Sequence, residues 1–160
     1  FFHYLLTAMT KNGIDRAGHD EADAEHVGEV IREAVDTLFR QAKAHKVPPP
    51  ILNFVLTNGD TFLAMRAGKD LFFATQKFKC GDFEHCVEPR KVCMEAVRPD
   101  PWVNHLIVSS ERIGDEDIWE ELPQGAMVLM GKDFRVSTLE PIANFEICPP
   151  EQMSPAIEAI

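Results

Sequence analysis

The sequence predicts an α+β domain in which two N-terminal helices lie against an antiparallel sheet. Three observations carry that expectation. Apolar residues recur at steps of three and four from Phe1 to Ala42. Beyond Pro48-Pro49-Pro50 the period changes to two, the signature of strands. Turn signals, Asn58-Gly59 and Gly131-Lys132-Asp133, then separate short alternating runs. Helical segments followed by a block of strands belong to α+β architecture, with the helices layered on one sheet face.

The first helix is expected to run from before Phe1 to about Lys11, with Phe1, Phe2, Leu5, Leu6 and Met9 on one face. Asn12-Gly13 closes it, glycine being suited to the left-handed position after a helix. Its start lacks the Ser, Thr, Asp or Asn that would satisfy the free N–H groups of a first turn, and no initiator Met precedes it. The expectation is therefore that these 160 residues are the back part of a longer protein. An acidic loop spans Asp15 to Asp23.

The second helix is the strongest local signal. Val27, Val30, Ile31, Ala34, Val35, Leu38, Phe39 and Ala42 form one apolar stripe. Asp20, Glu21, Asp23 and Glu25 at its start, and Lys43, His45 and Lys46 at its end, complement the helix dipole. The three prolines stop it, since proline lacks the N–H and disfavours helix in the residue before it.

The strand region follows. Leu52, Phe54 and Leu56 alternate with Asn53, Val55 and Thr57; Leu63 and Met65 alternate with Phe62 and Ala64 after the Asn58-Gly59 turn. That turn reads as type I′, with φ > 0 at both central residues. Further strands are expected at Leu71–Gln76, Val92–Arg98 and Val103–Ser109, the last two joined by Arg98-Pro99-Asp100-Pro101. Lys79–Glu88 reads as a loop, and Glu111–Leu122 as a short helical turn around Ile118 and Trp119, ending at Pro123. Ala126–Met130 and Phe134–Thr138 make a second hairpin. The domain closes near residue 140, and 141–160, with Pro149-Pro150 and Pro155, is an irregular tail.

Composition narrows the function classes. With 45% hydrophobic residues, the chain can bury a real core. A net charge of −10 lacks the basic stripe that displaces counterions from nucleic acid, and it disfavours anionic membrane surfaces. No apolar run approaches the ~20 residues of a membrane span. Cys80, Cys86, Cys93 and Cys148 match neither a dense disulfide framework nor paired C-x-x-C zinc spacing, so reduced thiols in a cytoplasmic protein are the default.

Several side chains invite a chemical role and receive a structural reading. Cys80, His85, Cys86 and Cys93 are spaced too widely for a structural zinc site. Asp82, Glu84 and Glu88 would raise the thiol pKa and suppress a Cys–His dyad. His3 and His105 lie in apolar segments and read as satisfied or half-buried. Glu111, Asp115, Glu116, Asp117, Glu120 and Glu121 lack the calcium-loop spacing and read as a solvated helix start, with Trp119 packed under the loop. No phosphate loop, dinucleotide fingerprint or nucleophile elbow is present. Catalytic, cofactor and metal residues are thus all assigned as none, and no cofactor is implied.

Four segments together resemble one family. Phe1-Phe2-His3-Tyr4-Leu5-Leu6 is similar to the helix after an Asp-Ser-Glu motif in class II glutamine amidotransferase-like proteins. Asn53-Phe54-Val55-Leu56-Thr57-Asn58-Gly59, then Phe62-Leu63-Ala64-Met65-Arg66, resembles their N-F-x-L-T-D-G … L-x-A-x-R hairpin. Val108-Ser109-Ser110-Glu111-Arg112 resembles V-A-S-E-P, and Trp119, Pro123 and Gly125 resemble W-x-x-V-P-x-G. Asn58 stands where Asp is usual, and Arg112-Ile113 where Pro-Leu is. The resemblance spans residues 1–140. It implies an Ntn-hydrolase fold, an αββα sandwich of two antiparallel sheets between helix layers. It implies also an N-terminal cysteine that attacks a glutamine side-chain amide, with the free α-amine as base and an Asn-Gly oxyanion hole.

Those reacting residues belong to the front half of such proteins, and none maps here. Asn58-Gly59 follows helix two rather than preceding the acidic motif, so it reads as a turn. The chain is accordingly expected to be an inactive C-terminal portion, a scaffold whose partners are the missing N-terminal half and, in the parent, a small-molecule amide. Self-association through an uncovered sheet face is also expected. The alternative is a complete non-catalytic α+β module that binds through the apolar face of helix one.

Overall fold

The computed structural model describes residues 1–14, 23–79, 84–85, 103, 105–143 and 145. The expected strand Val92–Arg98, the Arg98–Pro101 turn, Cys80, Cys86, Cys93 and Cys148, and the tail beyond 145 lie outside the described residues. Among the described residues, α1 (Phe2–Lys11) and α2 (Ala24–Ala44) precede β1 (Phe54–Thr57), β2 (Phe62–Met65), β3 (Phe72–Ala74), β4 (Ile107–Ser109), β5 (Glu120–Glu121), β6 (Met127–Met130) and β7 (Val136–Leu139). The protein is α+β, as its periodicity requires.

The helices end where the sequence says they should. Asp23 caps α2, its carboxylate accepting the Glu25 N–H at 3.3 Å. Gly13 sits at φ +76° just past α1, where a side chain would be strained. The two helices are joined by packing and by the Tyr4 hydroxyl, which donates to the Ala34 carbonyl at 3.3 Å. The apolar face of α1 is only partly used. Leu5 is buried, whereas Phe2 and Phe1 are exposed, the Phe1 ring meeting the Phe54 ring edge-on at 5.3 Å.

Two antiparallel sheets lie beneath the helices. One has four strands in the order β1-β2-β6-β7, the other three in the order β4-β3-β5. The period of two in β2 and β6 explains the layering. Leu63 and Met65 pair with Leu129 and Met127, and these four face α1 and α2. Ala64 pairs with Val128, and both face the opposite way, onto Leu71, Phe73 and Leu122 of the second sheet. β2 and β6 are thus buried on both faces, forming the middle of an α–β–β stack with one core on each side. The outer strand β1 has only one covered face, so Phe54 and Leu56 pack inward while Val55 is 51% exposed.

Three local expectations are corrected. The β1–β2 connection is not a two-residue I′ turn. Thr57 pairs with Phe62, so four residues form the loop, and only Gly59 has positive φ, at +99°. Asn58 keeps negative φ because its side chain, accepting from Asp60 N and Thr61 N at 3.1 and 2.8 Å, does the turning. Around Ile118 and Trp119 there is no helix. Asp117 bridges to Lys77 and β5 pairs with β3, so backbone groups that would close a helical turn are used by the sheet. The second hairpin starts later on its return arm than expected. Phe134 lies in the turn at φ +59°, and pairing resumes with Met130 opposite Val136.

Candidate functional site

The densest polar structure lies where the loop after β2 turns back, and it is built by Asn53, Arg66 and Gln124. Arg66, 7% exposed, makes four hydrogen bonds. Nε donates to Lys69 O at 3.2 Å, Nη1 to Glu121 Oε1 at 2.6 Å and Leu122 O at 2.7 Å, and Nη2 to Asp70 Oδ1 at 2.6 Å. Four of the five N–H donors are thus engaged, which a buried guanidinium needs because each unpaired donor would keep its desolvation cost. Asn53 clamps the same loop from the other side. Its Oδ1 accepts from Ala67 N and Lys69 N, and its Nδ2 donates to Lys69 O and Asp70 O. Gln124 closes the third side through both Gly68 backbone groups. Gly68 itself, at φ +144°, lies so near Ile51 that a Cβ would approach its Cγ2 to 2.6 Å. The arrangement fixes a loop and ties the two sheets through bonds within the protein.

A second polar group joins the acidic segment to the start of β4 and the end of β3. His105 Nε2 stands 3.9 Å from Asp117 Oδ1, both half-buried or deeper. Lys77 approaches Glu116 at 3.6 Å, and Lys79 meets Asp115 at 2.6 Å. The hydrogen bond from Lys79 Nζ, then its charge, pulls the Asp115 carboxyl below its ordinary value; the same contact raises Lys79. The acidic residues expected to solvate a helix start are therefore distributed. Asp115 and Glu116 hold lysines, Glu121 holds Arg66, and Glu111 is exposed. Trp119 is half-buried with Nε1 donating to Ile113 O at 3.3 Å, in keeping with a packing role.

The remaining candidates are dispersed. His3 is exposed on α1, not half-buried, since the helix turns Leu5 rather than His3 toward the core. His85 is exposed in a turn. Asn58-Gly59 stands on an exposed hairpin tip with both backbone N–H groups committed: Gly59 N donates to Thr57 Oγ1 at 3.1 Å and Asn58 N to Thr61 O at 3.3 Å. An oxyanion hole needs free donors aimed at a reacting atom. Among the described residues, no three His, Cys, Asp or Glu side chains are placed to hold a metal ion. No described helix is long and apolar enough to cross a membrane.

One open groove of about 1050 Å³ runs along the flank of α2. Phe39, Ile142 and Phe145 contribute its apolar part, with the Phe39 and Phe145 rings 4.5 Å apart, and Arg32, Asp36 and Arg40 its charged side. Sequence reasoning did not find it. Its second wall comes from Ile142, Ala143 and Phe145: Phe145 packs on Phe39 of the helix, and Ile142 N donates to Gly125 O of the loop before β6 at 3.2 Å. No nucleophile–base pair lines it.

No family model matches the chain, and neither does any curated protein. Among solved structures it is similar to a glutamine aminotransferase class-II domain protein from Silicibacter pomeroyi. The two share 17% identity at a TM-score of 0.50, over 88% of this chain and 49% of that one. The chain therefore spans about half the length of the structure it matches, and the likeness extends to the fold.

Proposed function

We propose that these residues form the C-terminal portion of a class II glutamine amidotransferase-like domain, and that the complete domain hydrolyses glutamine or a γ-glutamyl amide. The observation that carries the reading is the likeness of 88% of this chain to part of a solved class-II domain about twice as long. It is supported by the way the resembling segments meet. Asn53 and Arg66, the polar residues of the N-F-x-L-T and L-x-A-x-R segments, converge on the single loop 66–70.

On this reading the reacting cysteine, its α-amine base and the oxyanion donors are supplied by the preceding half of the same domain, in a cytoplasmic protein. The present residues provide the helix layer, the two sheets and the braced loop. On this reading none of them attacks the amide or transfers a proton. The direct test is ammonia release from glutamine and from γ-glutamyl amides, measured on this chain alone and on the full gene product. The full product is expected to turn over and this chain is not. Turnover by the isolated 160 residues, or a full product with no amidohydrolase activity, overturns the proposal.

A further inference from the structure

The groove beside α2 is entered by the chain itself. Phe145, the last of the described residues, lines it with its ring 4.5 Å from that of Phe39, so residues 146–160 set out from inside the groove. The two ends of the groove differ in charge. Toward the start of α2 it is lined by His26, Glu29 and Glu33, and past the end of the helix by Lys46 and Val47. The charges between are committed within the chain: Glu29 meets Arg32 at 2.7 Å, Asp36 meets Arg40 at 2.9 Å, and Lys43 is engaged as well. Lys46 makes no ion pair among the described residues, and Val47 beside it is 52% exposed. The fold thus leaves an apolar floor and one uncommitted cation beyond the point where Phe145 enters.

We infer that the groove from Phe39 to Pro49 is the docking site of residues 146–160 of the same chain, with Glu151 against Lys46. Charge, length and backbone chemistry select that occupant. Residues 146–160 contain Glu146, Glu151 and Glu158 and no Lys, Arg or His, so the basic end of the groove attracts them and the acidic end repels them. Lys46 stands seven residues beyond Phe39, about 10 Å along the helix axis at 1.5 Å per residue. The six steps from Phe145 to Glu151 span up to ~19 Å of extended chain, so Glu151 reaches Lys46 with slack. Pro149-Pro150 and Pro155 lack N–H donors and favour an extended backbone that needs no internal hydrogen bonds. Such a backbone suits an open groove, which offers no strand edge to complete. Ile147 and Met153 bring the apolar surface that Phe39 and Val47 call for. A second copy or another protein competes poorly here, because a segment tethered at Phe145 is present at an effective concentration on the order of millimolar.

The test is zero-length carbodiimide cross-linking of the full-length protein, in an equal mixture of isotopically light and heavy copies, with the linked peptides identified by mass spectrometry. Glu151 is expected to link to Lys46 of its own copy in preference to Lys132, which follows Gly131 beside Ala24 at the far end of α2. A second readout is the rate at which thermolysin cuts within residues 146–160. Lys46→Glu and Glu151→Lys should each speed that cut about threefold or more, since each sets like charges together. The double swap Lys46→Glu/Glu151→Lys should bring the rate back to within about twofold of wild type, because the pair is restored with its signs exchanged. Circular dichroism checks that every variant keeps its helices. If a reversal does not, Lys46→Gln and Glu151→Gln replace it and should speed the cut about twofold. Absence of the Lys46–Glu151 link, as when another protein fills the groove, overturns the inference. So do links that join only light to heavy copies, which would make a second copy the occupant. Single reversals that leave the rate unchanged, or a swap that fails to recover, overturn it equally.

Discussion

Arg66 shows how much a single side chain can be asked to hold when it is buried. Its guanidinium joins the loop 66–70 to Glu121 and Leu122 of the neighbouring sheet, and no lysine can reproduce that geometry, because an ammonium is a point donor rather than a planar fork. Arg66→Ala is expected to cost about 2–4 kcal/mol in a urea melt, below the most severe buried-pair losses, since Asp70 and Glu121 are half-exposed and rehydrate. Arg66→Lys should recover less than half of that loss. The exposed pair Lys79–Asp115 makes the contrast. Asp115 is held below its ordinary 3.8, so its contribution is present above that value and is lost as pH falls through the lowered one. Lys79 is raised above 10.5, and its contribution is present below that and fades as pH rises through the raised value. A carboxyl NMR titration should find Asp115 shifted down in the wild type and returned toward 3.8 in Lys79→Met. No measurable loss of stability at neutral pH is expected, because both groups are solvated.

At the scale of elements, α2 is held by the close approach of Gly28 to the sheet. A Cβ there would stand 2.8 Å from Leu129 Cδ1 and 2.9 Å from Leu139 Cδ1. Those are the mobile tips of leucines, so Gly28→Ala should be near neutral, the clash being offset by about 1 kcal/mol of helix propensity. Gly28→Val adds bulk that the tips cannot clear and should destabilise by about 1–3 kcal/mol in the same melt. Sequence periodicity could not reveal this position, because a glycine inside a helical stripe reads as a weak point rather than a contact. The long elements were otherwise legible. The apolar stripe, the acidic residues at its start and the three prolines beyond it locate α2, and the alternation in β2 and β6 assigns each side chain to its face. β5 was not legible, for a physical reason. Its two residues, Glu120 and Glu121, carry no strand signal and are recruited by pairing with Phe72 and Phe73 far away in the chain. The same holds for the Asn53–Arg66–Gln124 brace, whose partners are brought together only by the fold. The motif segments drew attention to Asn53 and Arg66 while leaving unstated that their polar atoms serve a loop rather than a substrate.

At the scale of the whole molecule, the decisive feature is that the two cores share their middle layer. Leu129 reaches the helices, and Val128, next to it on β6, reaches the second sheet. Neither core can be lost while β2 and β6 remain ordered, since each strand would then expose one apolar face. The helix layer and the second sheet are therefore expected to unfold together, although they do not share a core. Leu129→Ala should cost about 2–5 kcal/mol, and Val128→Ala somewhat less because fewer carbons are removed. Each should move the loss of helical ellipticity and the change in Trp119 fluorescence by the same denaturant interval, the second tryptophan of the chain, Trp102, being replaced by Phe in all the proteins compared and Trp119 lying beside the second sheet. Two-state behaviour makes that coincidence the signature of one cooperative unit. Were Val128→Ala to shift the fluorescence transition alone, the second sheet would be a separately melting layer. The three layers would then have to be described as helices on one sheet with a second sheet merely docked beneath.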